Sequence, residues 1–134
     1  MARTLTLSQK ELKRAAAAAY EGKTVKVMLC NVGSSGNTAE STVAAWQAVE
    51  VSGNGYTRFS ATVGTGSYDG TAAAYVIPNV DAAFTASGSG FTYDTIVAYF
   101  DGETYCHSIT VESPNVVLSP GQTQTYRISL RTDD

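Results

Sequence analysis

Between Tyr93 and Val111 the chain runs through two segments rich in Tyr, Ile, Val and Thr, separated by Asp101-Gly102. An Asp-Gly dipeptide between β-forming runs is the strongest short-range signal for a β-hairpin. A type I′ turn needs φ > 0 at both central residues, which Asp tolerates and Gly adopts freely. Two-residue closure predicts Phe100 opposite Glu103, Ala98 opposite Tyr105 and Ile96 opposite His107. A lone hairpin is marginal in water, so this pair belongs to a larger sheet.

The remaining residues supply that sheet. The 134 residues make one domain, long enough to bury roughly two-thirds of the unfolded chain's surface. Lys23–Val32 reads as a first strand with Val25, Val27 and Leu29 on one face, and Gly33–Asn37 as a loop. The run 43–51 fits strand or helix by periodicity; Val49, Val51 and the Ser52–Gly55 turn favour a strand over 44–51 paired with 56–63. Trp46, the sole tryptophan, is expected as a core anchor. Gly64–Gly70 reads as a loop, Ala72–Val76 and Val80–Thr85 as short strands, and Ser87–Gly90 as a connection. Ser113-Pro114 ends the hairpin, Val116–Leu118 is an edge segment, and Ser119–Gln122 forms a type II-like turn. Thr123–Leu130 is a last strand with Tyr126, Ile128 and Leu130 inward, and 131–134 a frayed tail. Short strands with turn signals every 8–12 residues indicate a mainly β, antiparallel β-sandwich or jelly-roll-like domain over 23–134.

Residues 1–22 read as an N-terminal amphipathic α-helix arm. Ser8 and Glu11 form a capping box, Leu7 and Leu12 a hydrophobic staple, and Gly22 a C-terminal stop. The helix itself is placed at about 9–21, with Leu12, Ala16, Ala19 and Tyr20 on one face and Lys10, Lys13 and Arg14 on another. Either it covers its own sheet or it packs on a neighbouring subunit through Leu12 and Tyr20.

A formal charge of −3 and a pI near 5.0 argue against general nucleic-acid binding. No apolar leader segment, membrane-length apolar run or glycosylation sequon occurs. Cys30 and Cys106 read as free thiols in strands, or as an inter-strand disulfide. His107 is the single histidine, which excludes multi-histidine metal sites. There is no nucleophile elbow and no phosphate-cradling glycine motif. Asp94 with Glu112, and Asp101 with Glu103, lack the apolar cleft that separates the pKa values of an acid–base pair. Catalytic, metal and cofactor residues are therefore expected to be absent, and the chain is not expected to be an enzyme.

Certain stretches, taken in order, resemble small virion structural proteins of tailed bacteriophages. They are an Ala-rich helix ending in Tyr20-Glu21-Gly22, then Val51-Ser52-Gly53-Asn54-Gly55-Tyr56-Thr57-Arg58, then Phe91–Val97 running into Asp101-Gly102. Leu118-Ser119-Pro120-Gly121-Gln122-Thr123 precedes a terminal strand. The resemblance implies a capsid cement or decoration protein bound to the major capsid protein, located in the virion after assembly in the bacterial cytoplasm. It also implies a homo-oligomer, a trimer on capsids, without nucleic acid or membrane as partner. A tail, baseplate or adaptor component is the alternative. A carbohydrate-binding or adhesion sandwich is a further one, with Tyr56, Tyr68, Tyr75 and Tyr105 as groove aromatics. The interface candidates are Lys10, Leu12, Lys13, Arg14, Tyr20, Asp101 and Gly102.

Overall fold

The computed structural model describes residues 8–71 and 74–133. It is mainly β, with antiparallel strand pairs and two helices among the described residues. The chain divides into two compact units, one formed by residues 24–61 and 81–126, the other by 1–23, 62–80 and 127–134.

The larger unit is built on β6 (Phe91–Phe100), which lies between β1 (Thr24–Cys30) and β7 (Ser108–Leu118); β2 (Phe59–Thr62) completes the order β2-β1-β6-β7. Val25, Val27 and Leu29 stand opposite Phe100, Ala98 and Ile96, whereas Lys26, Met28 and Cys30 stand opposite Tyr99, Val97 and Thr95. Apart from Lys26, every one of these residues is buried. A strand pair covered on both faces reads as a continuous apolar run, and TVKVMLC and TIVAYF do. On the second face Met28, Cys30, Val97 and Tyr99 pack with Val43 and Trp46 of α2 (Val43–Gln47). Trp46 is buried, with its Nε1 donating to the Thr38 carbonyl at 3.2 Å.

At the start of β6 a chain of aromatic rings joins it to the two-stranded sheet of β5 (Val80–Thr85) and β8 (Thr123–Ile128). Phe84 stacks on Tyr56 at 6.0 Å, Tyr56 meets Phe91 edge-on at 5.8 Å, and Phe91, Tyr93 and Tyr126 follow at 6.2 Å steps. The Tyr93 and Tyr126 hydroxyls share a hydrogen bond of 2.5 Å. Offset and edge-to-face pairs of this kind contribute about 0.5–1.5 kcal/mol each beyond their burial.

Several expectations are corrected here. The strands flanking Asp101-Gly102 do pair, but Ala98 faces Ser108 and Ile96 faces Thr110, not Tyr105 and His107. Of Asp101 and Gly102, only Gly102 has positive φ, at 89°, so the turn closed by Glu103 N donating to Phe100 O (3.1 Å) is not type I′. Residues 103–105 leave the ladder because α2 competes for them: Val43 N donates to Thr104 O at 2.8 Å, and Thr42 bridges Tyr105. The first part of the expected 44–51 strand is α2 instead. Its end is extended, with Glu50 bridging Cys30 and Val51 N donating to Leu29 O at 2.9 Å, so it lies against β1 rather than against 56–63, and β2 also pairs with β1. Thr42 caps α2 through Ala45 N at 3.2 Å, and only helical spacing puts Val43 and Trp46 on one face. Ser113-Pro114, a cis peptide, does not end β7, which continues to Leu118 around an irregularity opposite Asp94.

In the smaller unit α1 (Gln9–Ala19) packs with the sheet of β3 (Ser67–Asp69), β4 (Ala74–Val76) and β9 (Arg131–Asp133), ordered β3-β4-β9. Ser8 Oγ accepts from Glu11 N at 3.2 Å, the capping half of the predicted box. Glu11's carboxylate pairs with Arg14. Leu7, and the side chains of Leu12 and Ala16, lie outside the described residues. The expected loop 64–70 contains β3, and the expected tail contains β9, which occupies the open side of β4. After the helix, Gly22 N donates to Val63 O and Val63 N to Lys23 O, both at 2.9 Å. Glu21 Oε1 accepts from Gly66 N at 2.8 Å and from the Tyr75 hydroxyl at 2.9 Å.

Gly66 sits where a Cβ would lie 2.5 Å from the Val76 carbonyl oxygen and 2.8 Å from Ile77. Gly66→Ala is expected to destabilise by about 1–3 kcal/mol through forced displacement of β4. Gly102→Ala meets no neighbouring atom and costs only the left-handed backbone strain, about 1 kcal/mol. Urea midpoints check this order; equal shifts would contradict the packing account.

Candidate functional site

The larger unit carries an open groove of about 470 Å³. Its floor is a row of side chains from neighbouring strands: Lys26 of β1, its register partner Tyr99 of β6, and Arg58 just before β2. One wall is the α2 stretch from Thr42 to Gln47, and the other is the turn from Asp101 to Thr104. The Val43–Thr104 backbone bond ties the two walls together. Gln47 Nε2 donates to the Tyr99 hydroxyl at 3.4 Å.

The charges in the groove are nearly balanced. Lys26 Nζ lies 3.7 Å from Asp101 Oδ1, a long contact with Asp101 mostly exposed. Arg58 holds Glu50 through Nε (3.0 Å) and Nη2. Glu50 is almost buried and also accepts from the Tyr56 hydroxyl at 2.6 Å, while that hydroxyl accepts from Leu29 N at 3.1 Å. Burial works to raise the Glu50 pKa, but the bonds from Arg58 and Tyr56 outweigh it and hold the carboxyl below the usual carboxylate range. Burial, then the carboxylate beside it, raises the Tyr56 phenol. Arg58 and Tyr56 thus fasten the segment after Glu50 across β1. The arrangement is a fixed, charge-paired clamp that offers no group poised to move a proton near neutral pH.

Other reactive groups are equally restrained. Both cysteines are free thiols. Burial, with a smaller effect of Glu50, pushes Cys30 up to about 12, and burial also raises Cys106. Burial lowers the pKa of His107, whose ring meets Phe100 edge-on at 5.3 Å. Asp94 Oδ1 accepts from Val32 N at 2.9 Å and from Thr95 Oγ1 at 2.8 Å, which commits it to one backbone and one side-chain donor. Among the described residues no group of three His, Cys, Asp or Glu side chains is placed to hold a metal ion.

Of the interface candidates, Asp101 and Gly102 form one lip of the groove and are exposed. Lys10, Lys13 and Arg14 are exposed on α1, and Tyr20 is half-buried just after it. The side chain of Leu12 lies outside the described residues. The sequence reading did not single out Lys26, Gln47, Arg58 or Tyr99. Lys26 carried a usable signal, a charge inside an otherwise apolar strand. Arg58 and Tyr99 carried none, because the row depends on the register of three strands.

Comparison of the chain with protein-family models, with curated proteins and with solved structures finds no match.

Because the folded Glu50 pKa is lowered, its contribution is fully present above the unfolded carboxylate pKa and disappears as pH falls through the folded value. Glu50→Gln is expected to destabilise by roughly 1–3 kcal/mol at neutral pH, discounted from a fully buried pair for the partial exposure of Arg58. The gap between wild type and variant should narrow on acidification below the ordinary carboxylate range. Chemical denaturation at several pH values checks this; a gap independent of pH would contradict the assignment.

Proposed function

We propose that this chain is a virion structural protein of a tailed bacteriophage, and that it acts as a capsid cement or decoration protein. It would bind the major capsid protein as a homo-oligomer and stabilise the shell by burying contact area, about 800 Å² per partner in a standard interface. Repetition around the shell multiplies the effect. The observation carrying this reading is the outer strand of the four-stranded sheet. β7 is an edge strand, and Val111 (64% exposed) and Val117 (62%) stand on it, with Tyr105 (65%) in the preceding loop. Large apolar side chains on a rigid edge suit docking to a neighbour. The β-sandwich reading is proposed with it, supported by the aromatic chain between β6 and the β5–β8 sheet.

A tail, baseplate or adaptor component has the same surface requirements and differs in copy number. The carbohydrate-binding reading is less well supported. Tyr56 and Tyr75 have their hydroxyls in internal bonds, and Tyr75 is buried.

The reading is tested by antibody labelling and quantitative mass spectrometry of purified phage particles from the source of the chain. Hundreds of copies on the shell are expected. A few copies at the tail would favour the adaptor reading, and absence from particles would overturn both. A second prediction concerns the edge: Val111→Lys with Val117→Lys should leave urea stability within about 0.5 kcal/mol per exposed site and abolish shell binding. Undiminished shell occupancy by that variant would rule out β7 as the contact.

A further inference from the structure

The two charged features singled out on this chain are complementary to each other. On α1 the exposed residues Lys10, Lys13, Arg14 and Ala18 recur at helical spacing and form one stripe. The cations sit in the first half of the helix and none lies in its last turn. That placement opposes the helix dipole, which favours acids at the N-terminal end and cations at the C-terminal end. Glu11 neutralises Arg14 within the helix, but Lys10 and Lys13 make no ion pair among the described residues. Neither the helix dipole nor an ion pair within the helix therefore accounts for these lysines.

On the larger unit, the groove lip presents the opposite sign. Among the described residues the Asp101 carboxylate has one ion pair, the long contact to Lys26, and Glu103, also exposed, makes none. Lys26 against Asp101 and Arg58 against Glu50 cancel, so Glu103 leaves the groove with one uncompensated negative charge. Directly after this lip stands Tyr105, the most exposed large apolar side chain among the described residues. Exposed tyrosines flanked by charge are typical anchors at protein interfaces.

We infer that the occupant of this lip is a second copy of the same chain, bound by the exposed stripe of its α1. Lys10 and Lys13 of one copy face Asp101 and Glu103 of the next, and the small Ala18 region lets the Tyr105 ring approach the helix backbone. Two different patches meet, so the contact is heterologous and yields a closed ring or a filament, according to whether its rotation closes. The inference deepens the assembly reading by naming the surfaces through which copies join. It concerns the isolated protein, so its failure would leave the location in the virion untouched.

Sedimentation velocity on the purified full chain tests it, with circular dichroism confirming that each variant is folded. Wild type should self-associate at low salt and dissociate partly as salt rises, because exposed charge pairs are screened. Lys10→Glu with Lys13→Glu, and separately Asp101→Lys with Glu103→Lys, should each weaken association by about tenfold or more. Combining all four substitutions should restore it. The milder K10Q/K13Q pair should give an intermediate loss and serves if a charge reversal does not fold. A monomeric wild type, unchanged association in both reversed pairs, or a folded fourfold variant that stays as weak as its parents would overturn the inference.

Discussion

The structure depends on β6 and on what its first residues hold. Through its middle and end β6 is hydrogen-bonded to β1 on one side and β7 on the other, with buried side chains on both faces. At its start, Phe91 and Tyr93 belong to the aromatic chain that reaches β5 through Tyr56 and Phe84 and β8 through Tyr126. Tyr56 is the link between this packing and the polar clamp. Its ring lies between Phe84 and Phe91, and its hydroxyl bridges Leu29 N and Glu50. Removing that hydroxyl leaves a buried carboxylate with one donor fewer and a backbone N–H without its acceptor, a cost out of proportion to one oxygen atom.

Local signals in the sequence identified features whose cause is local. The Ser119–Gln122 turn forms as expected, with Gly121 at φ 87° and Gln122 N donating to Ser119 O at 3.0 Å. The apolar run of β1, the burial of Trp46 and the mainly β character were equally readable. What failed was set by competition between distant groups. Asp101-Gly102 marks a turn correctly, yet the pairing slips because Thr104 and Tyr105 bond to α2, some sixty positions earlier in the chain. The helix at Val43–Gln47 was hidden because Val-Ala-Ala-Trp-Gln suits either state, and the choice was made by the Thr42 cap and the cluster waiting for Trp46. β9 was invisible because a three-residue strand has no period of its own and forms only where β4 leaves an edge. The groove was illegible for the same reason: its floor is a product of register.

The chemical groups are mostly spent on holding the fold. Glu50, Arg58, Tyr56, Asp94, Glu21 and Tyr75 all have defined internal partners. The thiols are shifted away from reactivity by burial. What faces outward is of another kind: an edge strand with exposed valines, an exposed tyrosine beside an acidic lip, and a helix with a basic stripe. Surfaces of this sort suit binding by contact area and charge matching, which is why the proposed role is assembly. The stiffness of the β1–β6–β7 core gives such contacts value, since a preorganised surface loses little freedom on binding.

The central claim is that β6, held by its neighbours and by the aromatic chain, is the most stable part of the protein. Native-state amide hydrogen exchange measures this directly. The account predicts that the slowest amides lie in Val25–Cys30 and Phe91–Phe100, exchanging only with global unfolding, whereas β3, β4 and β9 open at lower free energy. Exchange of the β6 amides as fast as, or faster than, those of β3, β4 and β9 would contradict it.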